Sequence, residues 1–236
     1  MNRKLKILMI VIVIALLVYV AFYFTEYRHA QKQATDLLGG TDNVSVKEIP
    51  EGLFVDGHGN DTVLIFYPGA KNEYISYLPL CADLAKEGVD CYLVRMPLNF
   101  AFFGENQAEK IIDEGNYSYY FLSGHSLGGL SAASFENHTN KTDGIILLAG
   151  YPNSGIHKPV LSVYGSEDKI LNMKAYNESK CYLDNLTEVI IEGGNHEQFA
   201  YYGPQEGDGV SKISTEKQLN ETAAIILGFI NEVIGV

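Results

Sequence analysis

The sequence predicts an α/β fold, a mainly parallel sheet of six to eight strands with helices on both faces, preceded by one N-terminal transmembrane helix. Three observations carry this. Residues 7–24 (ILMIVIVIALLVYVAFYF) form a charge-free apolar run. Downstream, short β-rich runs alternate with longer stretches of helical periodicity, the pattern of a sheet covered by helices. Those β-rich runs are apolar throughout rather than alternating, as strands buried on both faces must be.

At about 1.5 Å per residue the apolar run reaches roughly 27 Å, close to the thickness of a hydrocarbon core. Arg3, Lys4 and Lys6 precede it, so the positive-inside rule leaves residues 1–6 in the cytoplasm. The expected organisation is a signal-anchor helix over 7–24, a polar juxtamembrane tether over 25–43 and one globular domain over 44–236. That domain lies outside the cytoplasm, held at the cell membrane by a single pass. The alternative is a cleaved secretory signal, which would release the protein. Tyr23 and Phe24 stand where cleavage wants small residues, which favours the anchor.

The elements follow in order. A hairpin covers 44–55, and a strand at 62–67 (TVLIFY) ends at Pro68-Gly69. Over 74–87, Tyr77, Leu78, Cys81, Leu84 and Ala85 fall at helical spacing, and Gly88 closes the helix. A strand at 89–94 and a weaker helix at 105–114 come next. The strand at 119–122 (YYFL) runs into GHSLGG and a helix over 127–137. Strands at 144–148 and 160–164, a helix around 169–177 and a last strand at 187–191 follow. From residue 215, Leu219, Ala223, Ile226 and Ile230 share one face of an amphipathic helix.

The net charge of −12 argues against nucleic acid as a partner, because phosphate neutralisation needs basic footprints. Cys81, Cys91 and Cys181 show neither metal-ligand spacing nor a disulfide framework. Nothing in the chain identifies a protein partner, a metal or a cofactor.

Gly124-His125-Ser126-Leu127-Gly128 is a G-x-S-x-G match standing between a strand and a helix. That context is what a strained turn holding a nucleophilic hydroxyl above a sheet requires. The bland reading is a serine that caps the helix. A serine hydroxyl needs a base. His196 is the candidate, because it follows the last strand on the side where ligands of such sheets bind. His29, His58, His138 and His157 lie in poorer positions, and the His125 side chain should diverge from the serine. The imidazole needs an orienting carboxylate, and Asp168 and Glu167 both follow the 160–164 strand. Backbone N–H groups of Leu127 and Ala70 are the candidate oxyanion donors, since Pro68 has no N–H and Gly69 makes the turn. The apolar loop 95–103 (RMPLNFAFF) either walls a substrate site or packs over the sheet edge. Lys71, Arg95, Asn99, Phe100 and Phe103 are the candidate pocket residues.

The stretches IFYPGAKNEYISYLPL, VRMPLNFAFF, SGHSLGG, VYGSEDKI and GGNHEQFAYYGPQEGDG resemble the alpha/beta-hydrolase superfamily, from about Val44 onward. More narrowly they are similar to small, lidless bacterial predicted hydrolases related to dienelactone hydrolases. The resemblance implies an alpha/beta-hydrolase fold with Ser126 as nucleophile, Asp168 as acid and His196 as base. Two departures stand out. Many relatives have His-Gly where this chain has Pro68-Gly69, and dienelactone hydrolases proper use cysteine where this chain has Ser126. The stretch between Ala149 and Lys158 is too short for the helical lid of many relatives, which argues against an interfacially activated lipase. The implied activity is a carboxylesterase-like serine hydrolase acting on a small-molecule ester or acyl substrate, without metal or cofactor. The alternatives are an acyltransferase or peptidase on an envelope substrate, or a nonenzymatic binding protein on the same fold.

Overall fold

The structure, a computed structural model, describes residues 2–58, 61–139 and 141–236, with residues 24 and 25 described by their backbone alone. Met1 of the expected cytoplasmic segment and the Phe24 side chain lie outside the described part. The apolar run forms one helix, α1 (Arg3–Thr25). Its stretch Arg3–Tyr23 is long and apolar enough to cross a membrane, with an 18-residue window that reaches a mean hydropathy of 3.0.

The segment after α1 differs from the expected tether over 25–43. It is docked on the globular domain. The Arg28 amide donates to the Lys71 carbonyl at 2.7 Å, and the Gln31 amide donates to the Tyr201 carbonyl at 2.8 Å. The short helix α2 (Lys32–Thr35) buries Ala34 completely. A polar composition reads as a linker, but here the backbone finds its partners on distant loops.

Then come the hairpin strands β1 (Ser45–Ile49) and β2 (Gly52–Asp56), followed by β3 (Thr62–Tyr67), α3 (Leu78–Lys86), β4 (Asp90–Val94) and α4 (Gln107–Glu114). Next are β5 (Tyr119–His125), α5 (Leu127–Glu136), β6 (Gly144–Leu148), β7 (Ile156–Gly165), α6 (Met173–Ser179), β8 (Leu183–Ile191) and α7 (Thr215–Ile234). They build one eight-stranded sheet in the order β1-β2-β4-β3-β5-β6-β7-β8. β1, β2 and β4 pair antiparallel, while β4, β3, β5, β6, β7 and β8 pair parallel.

Successive strand residues face opposite sides, so each apolar strand feeds two cores. Leu64 and Phe66 join Phe121, Ile146, Leu148 and Leu161 under α3 and α7. Val63 and Ile65 join Leu122, Ile145, Leu147 and Val160 under α4 and α5. The helices end as their caps dictate. Ser214 accepts the Lys217 amide at the start of α7, and Gly235 ends it at φ 79°. Because β3, β5, β7 and β8 run parallel, the loops leaving their carboxyl ends gather on one rim.

Candidate active site

Only Ser126 separates β5 from α5, and it does so at φ 54° and ψ −122°. That backbone is costly for a residue with a side chain. The turn closes because glycines flank it. A Cβ on Gly124 would collide with the Gly128 backbone, and one on Gly128 with the carbonyl oxygens of Tyr67 and Pro68. Ser126 occupies the N-cap position of α5, yet among the described residues its side chain makes no capping hydrogen bond. Helix capping, the ordinary use of serine here, is not what this hydroxyl does.

Asp168 and His196 leave β7 and β8 on the same rim. Their side chains are almost completely buried, and His196 Nδ1 lies 2.8 Å from Asp168 Oδ2. The other carboxylate oxygen, Oδ1, accepts the amides of Ile170 and Leu171, both at 2.8 Å. A carboxylate only accepts, so His196 donates from Nδ1, which in the neutral imidazole puts the lone pair on Nε2. Glu167 is directed elsewhere. Lys212 Nζ pairs with it at 2.5 Å, and this contact holds the Glu167 carboxyl below the usual range.

The loops carrying these residues are tied together from behind. Asp208 accepts the Glu197 amide at 2.9 Å and the Lys169 amide at 3.2 Å, joining the chain after His196 to the chain after Asp168. Asp208 is thus a tie between the two loops. Ser126 and His196 line the same recesses. Their mutual hydrogen bond is not formed, since among the described residues His196 Nε2 is buried without a partner. Such bonds commonly tighten only when substrate is bound.

His125 does turn away from the serine, into a buried network. Tyr77 Oη accepts the Gly69 amide at 3.1 Å and Asn72 Nδ2 at 3.0 Å, and lies 2.7 Å from His125 Nδ1. With both acceptor sites used, the tyrosine hydroxyl donates to His125 Nδ1. Burial, then the nearness of His196, pushes the His125 pKa well below its ordinary value. Its ring centre is 4.6 Å from that of His196. A neutral His125 leaves any charge arising on His196 unopposed. Burial also raises the Tyr77 hydroxyl to about 12, so it stays protonated and able to donate. Arg28 completes the network, with Nε donating to Asn72 Oδ1 at 2.7 Å.

The profile of the alpha/beta hydrolase family matches residues 63–220, from β3 into α7. This chain belongs to the alpha/beta hydrolase family. Solved structures share its fold. A predicted CIB-like hydrolase from Thermoplasma acidophilum aligns with a TM-score of 0.59 at 13% identity, over 78% of this chain and 99% of that one. MGS-MChE2, an alpha/beta hydrolase enzyme from a lagoon-sediment metagenome, aligns at 0.56 and 12% identity, over 80% and 98% of the two chains. Alpha/beta hydrolase domain-containing protein 10 from mouse aligns at 0.56 and 12%, over 81% and 99%. Likeness at such identities speaks for the fold alone. The comparison with curated proteins gave no match.

In this hydrolase two recesses of about 210 Å³ each flank Ser126 and His196. One is walled by Leu127, Leu130, Tyr151 and Leu171. The other is walled by Tyr23, Arg28, Ala70, Lys71 and Phe100. Leu127, Ala70, Lys71 and Phe100 therefore stand around Ser126. Leu127 is the first residue of α5, where helix amides have no partner within the helix. Asn99 contributes its carbonyl, which accepts the Lys71 amide at 2.8 Å and shapes that loop.

Arg95 is not brought to the site. Its guanidinium lies 3.2 Å from the Pro50 carbonyl and 3.8 Å from Glu48, on the β1–β2 hairpin. The antiparallel pairing of β2 with β4 draws it there. Phe103 lines a separate surface hollow with Phe102 and Gln107. Among the described residues no group of three or more His, Cys, Asp or Glu side chains is placed to hold a metal ion. Sequence reasoning missed the site roles of Arg28, Asn72 and Tyr77. Arg28 sits in the expected tether, and nothing local to Asn72 or Tyr77 shows that they meet beneath the β3 loop.

Proposed function

We propose that this family member is a serine hydrolase that cleaves a carboxylic ester or related acyl bond through Ser126, His196 and Asp168. The observation that carries the reading is the buried 2.8 Å pairing of His196 with Asp168, beside recesses that Ser126 also lines. Asp168 keeps the imidazole in one tautomer, so Nε2 takes the Ser126 proton as Oγ bonds to the acyl carbon. The amides of Leu127 and Ala70 hold the oxyanion. The ester C–O bond breaks, and the alcohol leaves with the proton from His196. Water then gives its proton to His196 and attacks the acyl-enzyme, which releases the acid and returns the proton to Ser126. These steps need no metal or organic cofactor.

The same reading takes α1 as an uncleaved anchor. Arg3, Lys4 and Lys6 keep the N-terminus cytoplasmic and the catalytic domain over 44–236 on the opposite face.

The test is Ser126→Ala. Turnover of short acyl esters should fall by about 10⁴-fold or more, and covalent labelling by a fluorophosphonate should vanish while circular dichroism stays unchanged. Undiminished labelling of the variant would refute the assignment.

A further inference from the structure

Tyr23 belongs to the membrane-crossing stretch, and it also lines the recess that holds Ser126 and His196. The Lys71 ammonium lies 3.5 Å from the centre of its ring. Past the helix the chain is stapled to the loop after β3 almost at once. Glu73 donates its amide to the Arg28 carbonyl at 2.9 Å, and the Arg28 guanidinium reaches the Ala70 carbonyl at 3.3 Å. Five residues of extended chain span at most about 18 Å. The loop carrying Ala70 is therefore confined to the membrane boundary by covalent reach, however the helix tilts.

A second observation lies beside the first. α1 packs against the turn at Pro97–Asn99. Around that turn Leu98, Phe102 and Phe103 remain exposed, at 51%, 49% and 46%. Large apolar side chains that continue the surface of a spanning helix belong in the interfacial layer, where aromatic rings are favoured. The occupant of this patch is the bilayer itself.

We propose that the substrate is an acyl ester of a membrane lipid, entering the Tyr23-side recess sideways from the leaflet that the patch touches. This names a substrate class for the serine-hydrolase reading and rests on it. No lid has to open, because the anchor already keeps the site at the interface.

The test uses the full chain in phosphatidylcholine–phosphatidylglycerol vesicles containing a phospholipid with a fluorogenic acyl chain. A water-soluble p-nitrophenyl acetate assay runs in parallel. Wild type should hydrolyse both esters. The double variant Leu98→Asn with Phe102→Ser changes the patch outside both recesses. It should keep the soluble activity within about twofold and lose the vesicle activity by about fivefold or more. Fluorophosphonate labelling of Ser126 without hydrolysis of the vesicle ester overturns the lipid proposal alone. So does a variant that hydrolyses the vesicle ester as wild type does, or one that loses both activities equally. Absence of labelling in wild type overturns the serine-hydrolase reading, and the lipid proposal with it.

Discussion

Gln218, fully buried in α7, grips Asn195 by both of its backbone polar groups. Its Nε2 donates to the Asn195 carbonyl at 2.8 Å, and its Oε1 accepts the Asn195 amide at 3.0 Å. The residue before His196 is thereby clamped to a helix rather than left to a loop. Gln218→Leu strips both partners and leaves two buried backbone groups unsatisfied. It should cost about 2–4 kcal/mol in urea unfolding and lower kcat about tenfold or more. Wild-type kcat in the variant would show that the clamp does not position His196.

Asp168→Asn tests the orienting carboxylate. The substituted amide can still accept from the Ile170 and Leu171 N–H groups through its oxygen, which leaves its NH₂ group facing His196. The imidazole must then turn its lone pair toward that NH₂ group and lose its basic Nε2. The expected loss in kcat is on the order of 10³–10⁴-fold, with little change in melting temperature. A loss below tenfold would remove Asp168 from the triad.

Tyr77→Phe removes the one oxygen that satisfies Gly69, Asn72 and His125 together. The β3 loop, which presents the Ala70 amide, then loses its support. We expect kcat to fall about tenfold while KM changes less than twofold, because oxyanion stabilisation matters chiefly in the transition state. Equal effects on kcat and KM, or none, would count against an oxyanion role for this loop.

His125 sets a pH dependence of stability. Its folded pKa lies well below the ordinary value of 6.5, so in this window the unfolded chain binds the proton and the folded chain does not. Stability is therefore complete above about pH 6.5 and is lost as pH falls toward the folded pKa. Urea unfolding between pH 7.5 and 5 should show a steeper acid slope for wild type than for His125→Asn. The difference should approach about 1.4 kcal/mol per pH unit. Parallel slopes would mean that His125 does not remain neutral.

Much of the fold was legible because strand burial leaves a local mark. TVLIFY, GIILL and VLSVY are mostly apolar with no polar alternation, and they lie in the parallel strands β3, β6 and β7. Boundaries were less legible. β5 runs on to His125 and β8 begins at Leu183, since ladder pairing rather than composition decides where a strand stops. Ser126 was legible from its glycines, whose close approaches are local. His196 was a candidate only by its place after a strand, and the preference for Asp168 over Glu167 rested on the family resemblance.

By itself the sequence determined the alternation of strands and helices, the turn at Ser126 and the apolar helix at the N-terminus. Each of these follows from periodicity, or from steric demands among neighbouring residues. Only the tertiary structure decided that Arg28 docks on the β3 loop, that Gln218 holds the chain before His196, and that Arg95 turns to the hairpin. Those contacts join segments that are far apart along the chain, and hydrogen bonds over such separations exist only once the whole sheet has fixed where each loop emerges.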